Sequence, residues 1–391
     1  MYIKAGGYTV DKFNDVNVSL RYDTIADTFS FTLLFDPNNA AHKAIFKPCA
    51  NKPCQIYYLN GKGQNELVIT GTILSNGFSS SAKKELSTIS GYSNTGIFAD
   101  SCVFEGQLAN VNQIVNADGS IQYNNLSLQE IANRIIFYSN ISLVVDSNVA
   151  DTCSKPFASA TAGVSETIES FLGRLCTSRG VVLSHTVDGH LLFTKCKAEK
   201  NITPTTFVTF QTKGDTSQYK DRVDFGNSSA SFDSKPIYNL EPGQDIWTRM
   251  DLSIDGQKLH SNIHVVGQQG NTNASSSYKD NPFVKNAFRY KRSLQTSGDD
   301  NDTPDTARTI LGAELKAITL TIDIVGWEFN GVLVRPNNII TVLNPEIYLY
   351  KSTRWFIESV ELRESPKGDN ATITCVLPAV YNEDDVVNIF D

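Results

Sequence analysis

The chain has 391 residues, 40% of them hydrophobic and 19% charged, with a formal net charge of −8. At ~100–200 residues per domain this suits roughly two to four domains with real apolar cores, and it excludes a disordered chain. The acidic balance and the lack of a basic run exclude tight nucleic-acid binding, which needs Lys and Arg to displace phosphate counterions, but leave a passive DNA conduit open. No stretch approaches ~18 consecutive apolar residues, so no membrane-spanning helix is expected. Residues 1–10 lack the charged and apolar segments of a secretory signal. Seven scattered cysteines, Cys49, Cys54, Cys102, Cys153, Cys176, Cys196 and Cys375, are an odd number. They read as free, buried thiols of a chain made in a reducing cytoplasm rather than a disulfide scaffold.

In chain order, residues 13–100 read as strands. Val16, Val18 and Leu20 alternate with polar neighbours, and so do Phe29, Phe31, Leu33 and Phe35. A period of two marks a strand with one buried face. Pro37 and Asn38 end that run, and strands at 54–59, 67–74 and 86–92 follow, giving a small antiparallel barrel or sandwich. Residues 100–198 change character. Ser127 and Glu130 form a capping box, followed by the helical face Leu128, Ile131, Ala132, Ile135 and Ile136. A second helix is expected from Ser165, with the face Ile168, Phe171, Leu172, Leu175 and Cys176 and with Gly180 just past its end. Residues 181–194 read as a hairpin turning at Asp188-Gly189.

Residues 199–250 are weakly patterned and read as a connector with a few strands. Strand pattern returns from Asp251, with Leu252, Ile254, Ile263 and Val265. Residues 268–302 are polar and low in complexity and read as a long loop or arm that orders only on assembly. A helix over 303–318 is capped by Thr303, with Pro304 at its first position and the face Ala307, Ile310, Leu311, Leu315 and Ile318. Strands follow at 320–325, 339–343, 355–362 and 372–377, then an acidic tail that is loose or docked on a partner. The two β series share a plan, which fits a repeat of one barrel.

Several short segments, in order along nearly the whole chain, resemble the baseplate hub proteins of Mu-like contractile-tailed phages, a family akin to the T-even hubs and to late control protein D. Ala5-Gly6-Gly7-Tyr8 with Val16-Asn17-Val18-Ser19-Leu20-Arg21 is similar to the family's opening, and Asp27-Thr28-Phe29-Ser30-Phe31 to the strand that continues it. Ser90-Gly91-Tyr92-Ser93-Asn94-Thr95-Gly96 with Ala99-Asp100-Ser101-Cys102, and Ser165-Glu166-Thr167-Ile168 through Gly180-Val181-Val182-Leu183, match further segments. The most specific is Gly326-Trp327-Glu328-Phe329-Asn330-Gly331 followed by Val334-Arg335-Pro336-Asn337, where Val334 stands in place of the family's Trp. The least similar part is 199–250.

The resemblance implies a mainly β fold: two related antiparallel β-barrel domains plus a small α/β module and a connector. The expected boundaries are a first barrel at 1–99, the α/β module at 100–198, the connector at 199–250, a second barrel at 251–380 with the loop 268–302 and helix 303–318, and the tail at 381–391. It further implies a homotrimeric ring joining a sixfold tail tube, or a tube-adaptor protein, to a threefold central spike, beside other baseplate proteins. DNA would only pass through the channel, and the protein would assemble in the host cytoplasm into the virion tail baseplate.

No residues are assigned to catalysis, a cofactor or a metal. There is no phosphate-binding glycine loop, no paired-histidine zinc motif and no nucleophile elbow. His42, His185, His190, His260 and His264 read as core or surface histidines. Cys49 and Cys54 lack a second ligand pair for zinc. Asp299, Asn301, Thr303 and Asp305 alternate like a calcium loop, but Pro304 stands where a glycine is demanded. Trp327, Phe329, Trp355 and Phe356 read as barrel core. The expectation is a structural protein and not an enzyme. The alternatives are a tail-associated cell-wall hydrolase, needing two placed carboxylates about 5–10 Å apart, and a host-binding or spike-like tail protein, needing a fibrous repeat.

Overall fold

A computed structural model describes residues 1–48, 51–81, 85–104, 112–196, 207–212, 237–240, 247–267, 276–294, 303–329, 331–366, 368–381 and 386–391. The fold is mainly β, built largely from antiparallel strand pairs.

The first β unit contains β1 (Tyr2–Ala5), β2 (Tyr8–Val10), β3 (Asp15–Arg21), β4 (Thr28–Leu34), β5 (Lys52–Leu59), β6 (Asn65–Ser80) and β7 (Glu85–Ser93). Val16, Val18 and Leu20 of β3 and Phe29, Phe31 and Leu33 of β4 are all buried. The period of two therefore turns one face of each strand inward. Phe35 lies just beyond β4 and is half-buried. A short helix, α1 (Ala40–Ile45), follows; the Asn39 side chain caps it by accepting from the amides of Ala41 and His42.

The α/β module begins with α2 (Ile97–Asp100), β8 (Gln113–Val115) and β9 (Ile121–Ser127). In α3 (Leu128–Ile136) the capping box is complete and all five expected face residues are buried. After β10 (Leu143–Val145), α4 (Ala150–Ser154) and β11 (Pro156–Ala162) comes α5 (Ile168–Ser178). Its cap is Thr167, so it starts three residues later than Ser165, yet its inward face is the expected one. Gly180 sits at φ +62°. The hairpin of β12 (Val182–His185) and β13 (Leu191–Thr194) turns through Gly189. A separate core of Ile131, Phe157, Phe171, Leu175 and Phe193 holds this module.

The rest of the chain supplies β14 (Phe207–Thr212), β15 (Ile237–Leu240), β16 (Trp247–Ile254), β17 (Asn262–Val266), β18 (Ser276–Asp280), β19 (Tyr290–Leu294), α6 (Thr303–Leu315), β20 (Ile318–Val325), β21 (Glu328–Phe329), β22 (Val332–Leu333), β23 (Ile339–Asn344), β24 (Leu349–Ser365) and β25 (Gly368–Val376). Three expectations are corrected here. β18 and β19 flank β17 inside the stretch read as a loop, so residues 276–280 and 290–294 are sheet. α6 ends at Leu315, where the Ala317 amide closes a turn on the Glu314 carbonyl, and Ile318 opens β20 instead of ending the helix. The end of the tail packs on its own chain: Ile389 is buried, and Lys351 donates to the Asp391 carbonyl at 2.7 Å. Strand β16 starts at Trp247, ahead of Asp251. Cys49, Asp299 and Asn301 lie outside the described residues. None of the other six cysteines is in a disulfide, and Cys102 alone among them is exposed.

The two β units have one topology. The first runs β3-β4-β7-β6-β5, and the second runs β16-β20-β25-β24-β23. In chain order each is first, second, fifth, fourth, third. The likeness extends to single residues. β6 departs from the β7 ladder by one extra residue, Leu74, and β24 departs from the β25 ladder by Glu358. Ser75 then faces Ser90 as Ser359 faces Thr374.

The units are joined into one sheet. Past its contact with β23, the freed edge of β24 receives β3 antiparallel, with Val360 opposite Leu20 and Leu362 opposite Val18. All four side chains are at most 2% exposed. One core consequently runs through both units, from Ile3 to Ile373. Removing the Leu362 side chain (Leu362→Ala) is expected to cost about 2–5 kcal/mol. Because the sheet is continuous, urea unfolding followed by near-UV signal should show a single earlier transition for both units.

Candidate assembly surfaces

The Gly326–Asn337 region, the most family-like stretch of the sequence, is a clasp between the units. Gly326 (φ +77°) turns the chain out of β20. Trp327 is then buried, and its indole N–H donates to the carbonyls of Asn370 and Arg363 at 2.9 and 3.1 Å. The next residue, Glu328, accepts from the Tyr58 hydroxyl at 2.7 Å and the Gly61 amide at 2.6 Å in the first unit. Arg335 donates to the Leu67 carbonyl at 2.7 Å and lies 3.7 Å from Glu66. Trp327, Phe329, Trp355 and Phe356 are all buried, as expected of core.

A second tie is ionic. Lys316 bridges Asp23 at 2.6 Å and Glu358 at 2.9 Å, and the Tyr381 hydroxyl donates to Glu358 at 2.5 Å. Burial would raise the Asp23 carboxyl, but Lys316 and Arg21 outweigh it and hold the group below the usual carboxylate range. Burial would likewise lower Lys316, but Glu358 and Asp23 keep its ammonium above its ordinary value. One fixed cation bridges this carboxylate pair and holds Asp23 ionised, which suits a structural clamp and not a general acid. Glu169 is different: burial, then the charge of Asp100, raises its carboxyl. Asp100 in turn accepts from Tyr92 at 2.9 Å.

The α/β module docks on the first unit through His185. Its Nε2 lies 2.9 Å from Asp27, its Nδ1 is 3.0 Å from the Thr24 carbonyl, and both side chains are buried. Nearby, the Thr70 amide donates to the Val187 carbonyl at 2.9 Å. Gly189 is packed so closely that a Cβ would fall 3.1 Å from the Thr70 carbonyl. His260 accompanies buried Glu314 at 2.8 Å, and His264 stacks on Tyr278 at 3.9 Å.

What the fold leaves open is edges and aromatic surface. Among the described residues, residues 75–80 of β6 pair only with β7, and β16 pairs only with β20. Such edges are templates for another strand. Phe104, Phe137 and Tyr138 form an exposed aromatic cluster on the module. Tyr278, Phe288 and Tyr290 form another on the β17–β19 sheet. A cleft of about 800 Å³ beside that sheet is lined by Lys279, Lys285, Phe288 and Arg308. None of these surfaces was legible as a site from sequence, because edges and patches are defined by which partners a strand lacks.

The fold is that of phage tail proteins. Among solved structures, a 43 kDa tail protein of prophage MuSo2 from Shewanella oneidensis matches with a TM-score of 0.70 at 17% identity, covering 97% of this chain and 99% of that one. A tail protein from Neisseria meningitidis MC58 matches equally, at 0.70 and 16% identity over 97% of each chain. An E. coli component of the type VI secretion system, described as similar to T4 bacteriophage tail proteins, matches at 0.53 and 9% identity, covering 100% of this chain and 80% of its own. No family model and no curated protein matches in sequence.

His185 gives a pH prediction. Burial alone would lower its imidazole, but Asp27 and the Thr24 carbonyl raise it above the ordinary histidine value. A raised folded-state value means that the folded chain binds the proton more tightly. The contribution is full below the unfolded value of about 6.5 and is lost as pH rises through the folded value. The stability difference between the parent and His185→Gln, from urea midpoints across this range, should shrink as pH rises. A difference that grew toward alkaline pH would contradict the pairing.

Proposed function

We propose that this chain is a structural subunit of a phage tail baseplate hub, in which three copies form a ring between a sixfold tail tube and a threefold central spike. The observation that carries the reading is the repeated strand order: one chain supplies two equivalent β units, already side by side in one sheet. Three chains thus supply six units with threefold true symmetry, which resolves the mismatch between tube and spike. The likeness in fold to tail proteins over nearly the whole chain supports it. In this reading the exposed aromatics of the α/β module, Phe104, Phe137 and Tyr138, face the spike or a neighbouring baseplate protein, since apolar patches of this kind mark protein contacts. The net charge of −8 suits a ring that lets DNA pass without holding it.

The test is native mass, measured for the chain alone and mixed with its candidate spike protein. The expected result is a species of three times the 43.1 kDa chain mass in at least one sample. A strict monomer or dimer in both would remove the ring. The competing reading, cell-wall hydrolysis, has Glu169 beside Asp100 as its best acid. The expected outcome is that purified chain releases no soluble fragments from peptidoglycan. Turnover abolished by Glu169→Gln would reverse the assignment.

A further inference from the structure

The repeat makes one joint visible and leaves its counterpart unfilled. Inside the chain, β3 of the first unit completes the freed edge of β24 in the second. By the shared topology, β3 corresponds to β16 and β24 to β6. The bulges at Leu74 and Glu358 fix the alignment of the long strands, so residues 75–80 of β6 match residues 359–364 of β24. The ladders to β4 and β20 align the short ones: Val18 faces Phe29 as Leu252 faces Leu320, and Phe29 faces Gly91 as Leu320 faces Cys375.

At the filled joint, Val18, Leu20, Val360 and Leu362 are at most 2% exposed. At the matching positions of the empty one, Phe78 and Ile254 are each 50% exposed, and Leu252 and Asn76 are half-buried. Apolar Phe78, Leu252 and Ile254 thus stand on the matching faces of the two edges, and among the described residues neither edge is covered. Within one copy the empty donor and the empty acceptor stand at opposite ends of the strand path β16-β20-β25-β24-β3-β4-β7-β6.

We propose that β16 of one copy adds antiparallel to residues 75–80 of β6 in the next copy, in the register of the internal joint. Asn76 then faces Ile254, Gly77 faces Ser253, Phe78 faces Leu252 and Ser79 faces Asp251. Phe78 and Leu252 form an aromatic–aliphatic cross-strand pair of the kind that stabilises sheets. The contact is head-to-tail, so it propagates from copy to copy and closes only as a ring. It rests on the ring proposed above for the number of copies, and on the repeat for the register.

Paired cysteines test it in the full chain, with Cys102→Ser removing the exposed thiol among the described cysteines and Cys49→Ser the one outside them. Gly77→Cys with Ser253→Cys and Asn76→Cys with Ile254→Cys sample both kinds of antiparallel pair. A cysteine at Gly77 meets only ordinary contacts, the nearest being Thr88 at 3.9 Å. Mild oxidation should give a covalent ladder on a denaturing gel that stops at three chains. The off-register pair, Gly77→Cys with Asp251→Cys, should give none. Phe78→Asp should weaken assembly on the order of tenfold or more, through a buried unpaired charge, while lowering the melting of the dissociated chain only slightly, through the lost edge contact with Phe35. A trimer by native mass in which neither in-register pair cross-links, or in which the off-register pair links as well, overturns this register and leaves the ring standing. A chain that stays monomeric alone and with the spike overturns both.

Discussion

The pairing of β3 with β24 is the constraint on which the rest of the molecule depends. It makes one sheet from two units that begin and end far apart in the sequence, and it buries Val18, Leu20, Val360 and Leu362 in a shared core. Side chains alternate across a strand, so a slip of one residue would turn all four outward and lose their transfer from water. β24 carries the load of this arrangement: it meets β23, β25 and β3. It is paired along both edges for much of its course, and residues 353–358 are buried on both faces of the strand.

The bulge in β24 shows how packing and charge are coupled at that joint. Glu358 is the extra residue, and a bulge re-aims the side chain it carries. Here the carboxylate is aimed at Lys316 and Tyr381, while its own backbone carbonyl accepts from the Tyr22 amide at 2.9 Å, just beyond β3. The irregularity therefore extends the strand pairing by one bond and anchors a buried ionic bridge to Asp23. The matching bulge in the first unit carries apolar Leu74. The backbone device is common to both units, and its chemistry has been specialised in one.

Much of this was legible wherever local pattern and burial agree. The alternations at 16–20 and 29–33, the capping box at Ser127, and the inward faces of α3 and α5 needed no tertiary information, because each repeats with the period of its own element. Helix α1 was not legible, since six residues carry no amphipathic period and its stability comes from the Asn39 cap. Strands β18 and β19 were missed because Tyr278, Lys279 and Arg292 show no apolar alternation; their partner β17 supplies the ladder. Ile318 was read as helical because it falls three residues after Leu315, and only the turn at Ala317 assigns it to β20. The parallel pairing of β14 with β23 lay beyond pattern reading, as it joins the weakly patterned 199–250 stretch to a distant strand. His185 read as an ordinary core or surface histidine; its role as a tie to Asp27 depends on a contact between distant segments.

The placement of the internal joint also bears on synthesis. β3 leaves the ribosome about 340 residues ahead of the β24 segment that covers it. At ~5–20 residues per second the edge of β3 stays uncovered for tens of seconds. During that interval, on a crowded polysome, a completed β24 from a leading neighbour offers the same hydrogen bonds as the chain's own. Exchange of β3 between nascent chains is thus a built-in hazard of the fold.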